Sequence, residues 1–253
     1  MIEAVLFCLV TVASSFIGSM LGIGGGFLIV PALVLLGLPI QEAAALSLIA
    51  IAATSTSSSI IYLPKGMVNL KAAIILELFT VGGAIIGPRI ALALRGEILQ
   101  VLFGFILLYV SYRMLRGGKR VGEGAFARRR NLLSWAIAFI GSFLAGVMAG
   151  MLGIGGGIVK VPILHLLLGM SMKISVATSH FMIMFTAITS SIVYLLSGLF
   201  NGEMAVAGAV GAIVGSQIGG RIALRIKAEH LRRLFGIVLI ILAATMFWKS
   251  LHP

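Results

Sequence analysis

The sequence predicts an all-α polytopic membrane protein built from two homologous halves. The first observation is composition: 60% of the 253 residues are hydrophobic and 10% are charged, with a mean hydropathy of +1.17. Soluble domains average about 45–50% apolar and about 25% charged residues. The second observation is a glycine-rich motif that occurs twice, and the third is the confinement of basic residues to short segments between apolar runs. These observations predict a chain that is embedded in a lipid bilayer.

The length limits what else the chain can contain. A helix needs about 20 apolar residues to cross the hydrocarbon core, so the chain accommodates about eight to ten membrane elements and no large aqueous domain. The net charge of +12 is explained by orientation in the membrane, and no nucleic-acid partner is expected. Cys8 is the only cysteine, which excludes an intrachain disulfide and a cysteine-based metal site; no metal or other cofactor is predicted.

Five apolar elements are expected in each half. The chain divides into a first repeat (1–115), a basic linker (116–131) and a second repeat (132–253). The second element of each half has too few residues to cross alone, since about 12 helical residues reach only about 18 Å, and is expected to be a broken or re-entrant helix. The elements are 2–21, 26–37, 43–63, 70–94 and 98–115 in the first half, and 132–152, 157–169, 174–196, 204–225 and 230–248 in the second.

The internal repeat is clearest at the glycine motif. LGIGGGFLIVP (21–31) recurs as LGIGGGIVKVP (152–162), and after a one-residue insertion the match continues over more than 80 residues. Agreement of this length indicates duplication rather than chance. Identical pairs further along are Tyr62 with Tyr194, Gly66 with Gly198 and Asn69 with Asn201.

The distribution of charge predicts how the halves are inserted. An odd number of elements in each half gives the two halves opposite orientations, which is an inverted repeat. If the linker is cytoplasmic, alternation of the crossings places 14 of the 19 basic residues inside and only Arg95 and Lys249 outside. Because Lys and Arg concentrate in cytoplasmic loops, this orientation is favoured, and both chain ends then face outward.

The doubled LGIGGG motif, each copy followed by a hydroxyl-rich span, a tyrosine and a Gly-x-x-Asn step, resembles the sulfite exporter TauE/SafE family. This family is also called TSUP or the domain-of-unknown-function 81 transporters. The resemblance covers nearly the whole chain. It implies a multi-pass protein of the cytoplasmic membrane that carries small, typically sulfur-containing anions such as sulfite, thiosulfate or sulfonates.

The backbone at the two glycine motifs is the predicted anion site. Consecutive glycines interrupt a membrane helix, and irregular backbone at that depth must be buried or line a cavity. A half-helix that begins after the break presents unpaired N–H groups and the positive end of its dipole, which suits an anion. The alternative is that the glycines only permit close helix packing. The residues are Gly24, Gly25 and Gly26 in the first half and Gly155, Gly156 and Gly157 in the second.

Hydroxyl and amide side chains are further predicted ligands of the anion. The serine and threonine of each half are seven residues apart and therefore share a helix face. Each hydroxyl can instead bond the carbonyl four residues earlier, and each asparagine can cap the following helix. The residues are Ser47, Thr54 and Asn69 in the first half and Ser179, Thr186 and Asn201 in the second.

Three ionisable residues that break the symmetry between the halves are candidates for binding or coupling. Lys160 aligns with Ile29, so a single cation lies near one glycine break and either binds the anion or extends to the membrane surface. His180 aligns with Leu48; it is a candidate for proton coupling, because histidine titrates near neutral pH, or else a hydrogen-bonded core residue. Glu77 is expected to relay protons or to neutralise Lys160.

Three classes of function remain open at this stage. A secondary anion transporter, with or without proton coupling, fits the inverted repeat and the broken helices. An intramembrane enzyme would need a nucleophile and a base facing each other, and adjacent residues such as Ser179 and His180 point apart on a helix; no catalytic residue is predicted. A structural or sensory membrane protein is the third class. The sequence leaves open whether the protein forms a homo-oligomer.

Overall fold

The computed structural model describes residues 2–116, 132–199, 202–224 and 240–250. These residues form α-helices joined by short turns, and no strand occurs among them. The helices are α1 (Ile2–Leu21), α2 (Gly26–Leu35), α3 (Ile40–Tyr62), α4 (Leu70–Ala93), α5 (Gly96–Arg116), α6 (Leu132–Leu152), α7 (Gly157–Pro162), α8 (Met172–Leu196), α9 (Gly202–Ala223) and α10 (Ile240–Ser250). Asn201 and nearly all of the predicted linker lie outside the described residues.

Six of these helices, α1, α3, α4, α6, α8 and α9, are long and apolar enough to cross a membrane. The predicted class, an all-α polytopic membrane protein, is therefore confirmed. The helices α2 and α7 have 10 and 6 residues, which corresponds to about 15 Å and about 9 Å of helix. They are the short pieces expected after each glycine motif.

Glycine conformation explains why α1 and α2, like α6 and α7, are separate helices. The residues that precede α2 and α7, Gly25 and Gly156, have φ values of 94° and 75°. This left-handed region strongly disfavours side chains with a Cβ atom, so glycine fixes the break. Proline shapes the second half further, since α7 ends at Pro162 and continues as a π-helical turn, Ile163–Leu167. A proline cannot donate to the preceding helical turn.

The helix packing follows the repeat. The helix α1 packs along α9, and α4 packs along α6, which are equivalent pairs when the halves are exchanged. Between these pairs, α3 and α8 pack against each other at the centre. The exchange of equivalent contacts supports the duplication, while the orientation of the halves relative to the membrane stays a prediction.

Glycines let the paired helices approach to backbone contact. On α9, a side chain at Gly215 or Gly219 would collide with carbonyl oxygens of α1. On α4, Gly83 and Gly87 pack in the same way against the backbone of α6. Small residues allow this close approach between helices in a membrane, where dispersion contacts replace the hydrophobic effect as the attraction between helices.

Candidate functional site

The two glycine loops meet each other across the boundary between the repeats. A side chain at Gly26 would collide with the carbonyl oxygen of Gly153, and one at Gly157 would collide with the carbonyl oxygen of Gly22. The contacts are reciprocal, so the first turns of α2 and α7 begin side by side. Part of the glycine content therefore serves close packing, which was the alternative explanation of the motif.

Two serines fix the loops from the opposite repeat. The hydroxyl of Ser47 on α3 lies 2.8 Å from the carbonyl oxygen of Gly153. The hydroxyl of Ser179 on α8 lies 2.9 Å from the carbonyl oxygen of Gly22. A hydroxyl has one hydrogen to donate, so in this conformation both serines hold the loops and do not offer that hydrogen to an anion.

Two isoleucines cover the starts of the short helices. Ile51 lies near the middle of α3 and Ile183 near the middle of α8. A Cβ atom built on Gly24 would lie 2.9 Å from Cγ2 of Ile51 and 3.5 Å from Cγ2 of Ile183. A Cβ atom built on Gly155 would lie 2.9 Å and 3.2 Å from the same two atoms. The glycine loops therefore lie at half the height of the two central helices, which is where a transporter of opposed repeats holds its ligand.

A closed polar cluster links Lys160, Glu77 and Thr186. Nζ of Lys160 lies 3.1 Å from Oε2 of Glu77. Nζ of Lys160 also donates to the Thr186 hydroxyl, which in turn donates to Oε1 of Glu77. Lys160 is 1% exposed and Glu77 7% exposed. The lysine thus does not extend to the surface, and its partner is the carboxylate that the sequence offered as a neutralising group.

This cluster has no counterpart in the other half. Lys160 and Glu77 align with Ile29 and Ala209. Thr54, which aligns with Thr186, lies 2.6 Å from the hydroxyl of Ser15 and 2.9 Å from the carbonyl oxygen of Ala50. The equivalent place therefore holds a neutral pair of hydroxyls, and the charged cluster, which itself joins the two repeats, occupies only one of the two equivalent places.

His180 is fully buried where three helices meet. Its Nε2 lies 3.0 Å from the carbonyl oxygen of Ser19 on α1, and its ring stacks on Tyr62 of α3 with centroids 6.0 Å apart. Because a carbonyl oxygen only accepts, Nε2 carries the hydrogen in this arrangement. Nδ1 then presents a lone pair, and it has no partner among the described residues.

Of the two predicted asparagines, only Asn69 lies in the described part of the chain. Oδ1 of Asn69 accepts from the N–H of Ala72 at 3.1 Å, so this side chain caps α4, as one of the two expectations had it. The backbone N–H of Asn69 donates to the Thr178 hydroxyl at 3.0 Å. Asn201 lies outside the described residues.

Sequence reasoning missed two polar partners. Ser15 lies among other small hydroxyl residues of α1, Thr11, Ser14 and Ser19, and nothing in that pattern marks Thr54 as its partner. Nε2 of Gln217 on α9 donates to the Ser57 hydroxyl at 2.8 Å, and the signal was available, because an amide side chain in a membrane span commonly bonds a neighbouring helix. No cluster of three metal-ligating side chains occurs among the described residues.

Comparison with known proteins identifies relatives of nearly full length. A family model described as sulfite exporter TauE/SafE matches residues 6–246. The "Probable membrane transporter protein YunE" of Bacillus subtilis (strain 168) is 27% identical over 93% of this chain and 94% of that protein. A "Probable membrane transporter protein" of Xylella fastidiosa (strain Temecula1 / ATCC 700964) is 28% identical over 96% and 95%. The "Sulfite exporter TauE/SafE family protein 6" of Arabidopsis thaliana is 36% identical over 43% of this chain and 24% of the plant protein. No solved structure matches the chain significantly.

Proposed function

The chain belongs to the sulfite exporter TauE/SafE family of membrane transporters, and from this premise we propose that it is a secondary transporter of small anions. Its substrates are sulfur-containing oxyanions such as sulfite, thiosulfate or sulfonates, and its location is the cytoplasmic membrane. Transport proceeds by alternating access, in which two opposed repeats expose a central site to one side at a time. The observation that carries the proposal is the meeting of the starts of α2 and α7 between α3 and α8.

The two helix starts suit an anion for a physical reason. The first turn of a helix has N–H groups without partners inside that helix, and the helix dipole places partial positive charge there. Two such ends on one ligand supply donors without a cationic side chain, so the anion is bound but can still leave. Ile51 and Ile183 cover these ends, and their displacement is the movement that would admit the ligand.

The Lys160 cluster offers a way to couple the anion to a proton. In the observed structure, the carboxylate of Glu77 accepts one hydrogen bond from the ammonium group of Lys160. A proton on Glu77 would neutralise the carboxylate and release the positive charge of Lys160 toward an incoming anion. Glu77 is then the first candidate for proton coupling, because it contacts the positive charge of Lys160 directly. His180 is the second candidate.

Uptake of radiolabelled sulfite into proteoliposomes tests the proposal. Wild-type protein should give uptake above that of protein-free liposomes, and unlabelled thiosulfate or a sulfonate should compete. An inside-positive membrane potential should accelerate uptake if the anion moves alone, whereas an outside-acidic pH gradient should do so if a proton accompanies it. Conversion of sulfite without uptake would instead support the enzyme alternative.

Two phenylalanine substitutions on α3 locate the site. Ile51→Phe should reduce uptake at least tenfold, because the larger ring covers the starts of α2 and α7. Ile60→Phe makes the same chemical change on the same helix at a side chain that is 64% exposed, and it should leave uptake unchanged. Size-exclusion profiles of both variants check that they remain folded. Equal uptake by the two folded variants would contradict the placement of the site.

A further inference from the structure

One face of α3 carries three buried serines whose hydroxyls have no partner among the described residues. They are Ser55, Ser58 and Ser59, each no more than 2% exposed. Buried hydroxyls are normally hydrogen-bonded, most simply to the carbonyl four residues earlier, as Thr54 is to Ala50. The spacing i, i+3, i+4 brings the three hydroxyls together on one side of the helix. Three hydroxyls on one side of α3 therefore have no acceptor within the described part of the chain.

The unpartnered nitrogen of His180 belongs to a ring that contacts the same face of α3. Tyr62 follows Ser58 and Ser59 by one helical turn, so it shares their face of α3. The ring of His180 stacks on Tyr62 with an interplanar angle of 24°. His180 thus lies against the end of the serine face, with Nε2 engaged by the Ser19 carbonyl and Nδ1 left as an acceptor.

The fold itself does not require this arrangement, because the other half lacks most of it. Ser55 aligns with Ala187 and His180 with Leu48. Ser190, the counterpart of Ser58, donates to the carbonyl oxygen of Ala84 at 2.9 Å. Only Ser191, the counterpart of Ser59, also has no partner among the described residues. The concentration of unpaired donors with one unpaired acceptor is a property of one side of the molecule.

We propose that Ser55, Ser58, Ser59 and Nδ1 of His180 form a second binding position for an oxyanion that carries a hydrogen, of which hydrogensulfite is the form that fits this family. The serine hydroxyls donate to the oxygens of the anion, and Nδ1 accepts the hydrogen of the anion. This inference rests on the proposed transport function and adds the ionic form of the substrate. It does not use the helix starts of the glycine loops.

The charge of the site supports a monoanion. Tyr62 and the Ser19 carbonyl are the groups that contact His180 from α3 and α1, and neither carries a charge. Lys160, a buried cation, is paired with Glu77 on α4 and not with this group of residues. A neutral buried site accepts one negative charge more readily than two, because the cost of desolvation rises with charge. Hydrogensulfite therefore fits better than the dianion.

Calorimetric titration of the purified protein in detergent provides the test. The ligands are sulfite at mildly acidic pH, where it is mostly hydrogensulfite, and methanesulfonate, a monoanion of similar shape that has no acidic hydrogen. Wild type should bind hydrogensulfite several-fold to roughly tenfold more tightly, the value of one hydrogen bond to a neutral acceptor. His180→Leu, which introduces the residue type of Leu48, should abolish this preference and keep methanesulfonate binding.

Serine variants test the donors separately with minimal risk to folding. Ser55→Ala, Ser58→Ala and Ser59→Ala should each weaken binding of both ligands several-fold. Ser216→Ala is the matched control, because this buried hydroxyl donates to the carbonyl oxygen of Ile213 at 3.0 Å, and it should bind as wild type does.

Three outcomes would overturn the inference. Equal affinity of wild type for the two ligands, or an unchanged preference in folded His180→Leu, would show that Nδ1 accepts no hydrogen from the anion. Unchanged affinities in all three serine variants would show that internal water satisfies the hydroxyls. In either case sulfite uptake by wild-type proteoliposomes would leave the transport proposal intact. Wild type that neither binds nor transports any oxyanion would contradict both proposals.

Discussion

Lys160 and Glu77 would each be costly alone inside a membrane, and their contact makes both tolerable. Ionisable side chains in membrane helices pair with one another or face a polar cavity. The hydroxyl of Thr186 completes the pair by joining the ammonium group to the second carboxylate oxygen. Three helices, α4, α7 and α8, are therefore held together by one polar cluster.

The first prediction concerns this pair. Lys160→Met should lower the free energy of unfolding by about 3–5 kcal/mol, because it leaves a buried carboxylate without its partner. The double variant Lys160→Met with Glu77→Gln should recover most of that loss, since no charge then stays buried. Denaturation monitored by circular dichroism in detergent measures both. A double variant no more stable than Lys160→Met would mean that Glu77 is stabilised by other groups.

At the scale of the helices, the sequence predicted the existence of the helices better than their boundaries, and it predicted one contact between the repeats, Lys160 with Glu77, but not the contacts of the serines. Element 132–152 agrees with α6, because unbroken hydrophobicity is a local property. Element 43–63 was expected three residues too late, since α3 already begins at Ile40 after Pro39. The sequence predicted Ser47 as a ligand of the anion, and that stays a prediction; the bond of its hydroxyl to Gly153 in the other repeat was not foreseen. Such a contact depends on how the halves dock, which spacing along one chain does not contain.

The glycines of α4 allow a sharp test of helix packing. A Cβ atom at Gly82 would lie 3.8 Å from the ring of Phe143, an ordinary contact, whereas one at Gly83 would collide with the backbone of α6. Gly83→Ala should therefore destabilise the protein by about 1–3 kcal/mol through overpacking. Gly82→Ala should be neutral or stabilising by up to about 1 kcal/mol, because alanine is the better helix former.

Thermal unfolding in detergent compares these two neighbouring substitutions directly. Both variants replace a helical glycine by alanine in one span, so differences in hydrophobicity and expression are small. Gly83→Ala is expected to have the lower transition temperature by several degrees. Equal transition temperatures would mean that α4 and α6 are not in backbone contact.

Across the whole molecule, the contacts that hold the two repeats together are symmetric, whereas three of the candidate ligand-binding and coupling residues are not. Reciprocal contacts build the scaffold: each glycine loop packs on the other, and each is held by a serine of the opposite repeat. The groups with acid–base or charge chemistry, Lys160, Glu77 and His180, all break that symmetry. The aligned positions in the other half are Ile29, Ala209 and Leu48, so a ligand between the repeats would meet different groups on its two sides.

The orientation of the repeats is the last prediction, and the chain provides its own matched pair. Gly66 and Gly198 are equivalent in the two halves, are both exposed, and have φ values of 63° and 80° with open space around the position of a Cβ atom. A cysteine at either position therefore meets similar strain and leaves the charge distribution unchanged. In a variant with Cys8 replaced by serine, an impermeant maleimide applied to intact cells should label Gly198→Cys, whereas Gly66→Cys should react only after permeabilisation. An inverted repeat requires opposite behaviour at equivalent positions, because the exchange of halves also exchanges the two sides of the membrane. Labelling of both cysteines from outside, or of neither, would instead indicate two parallel repeats.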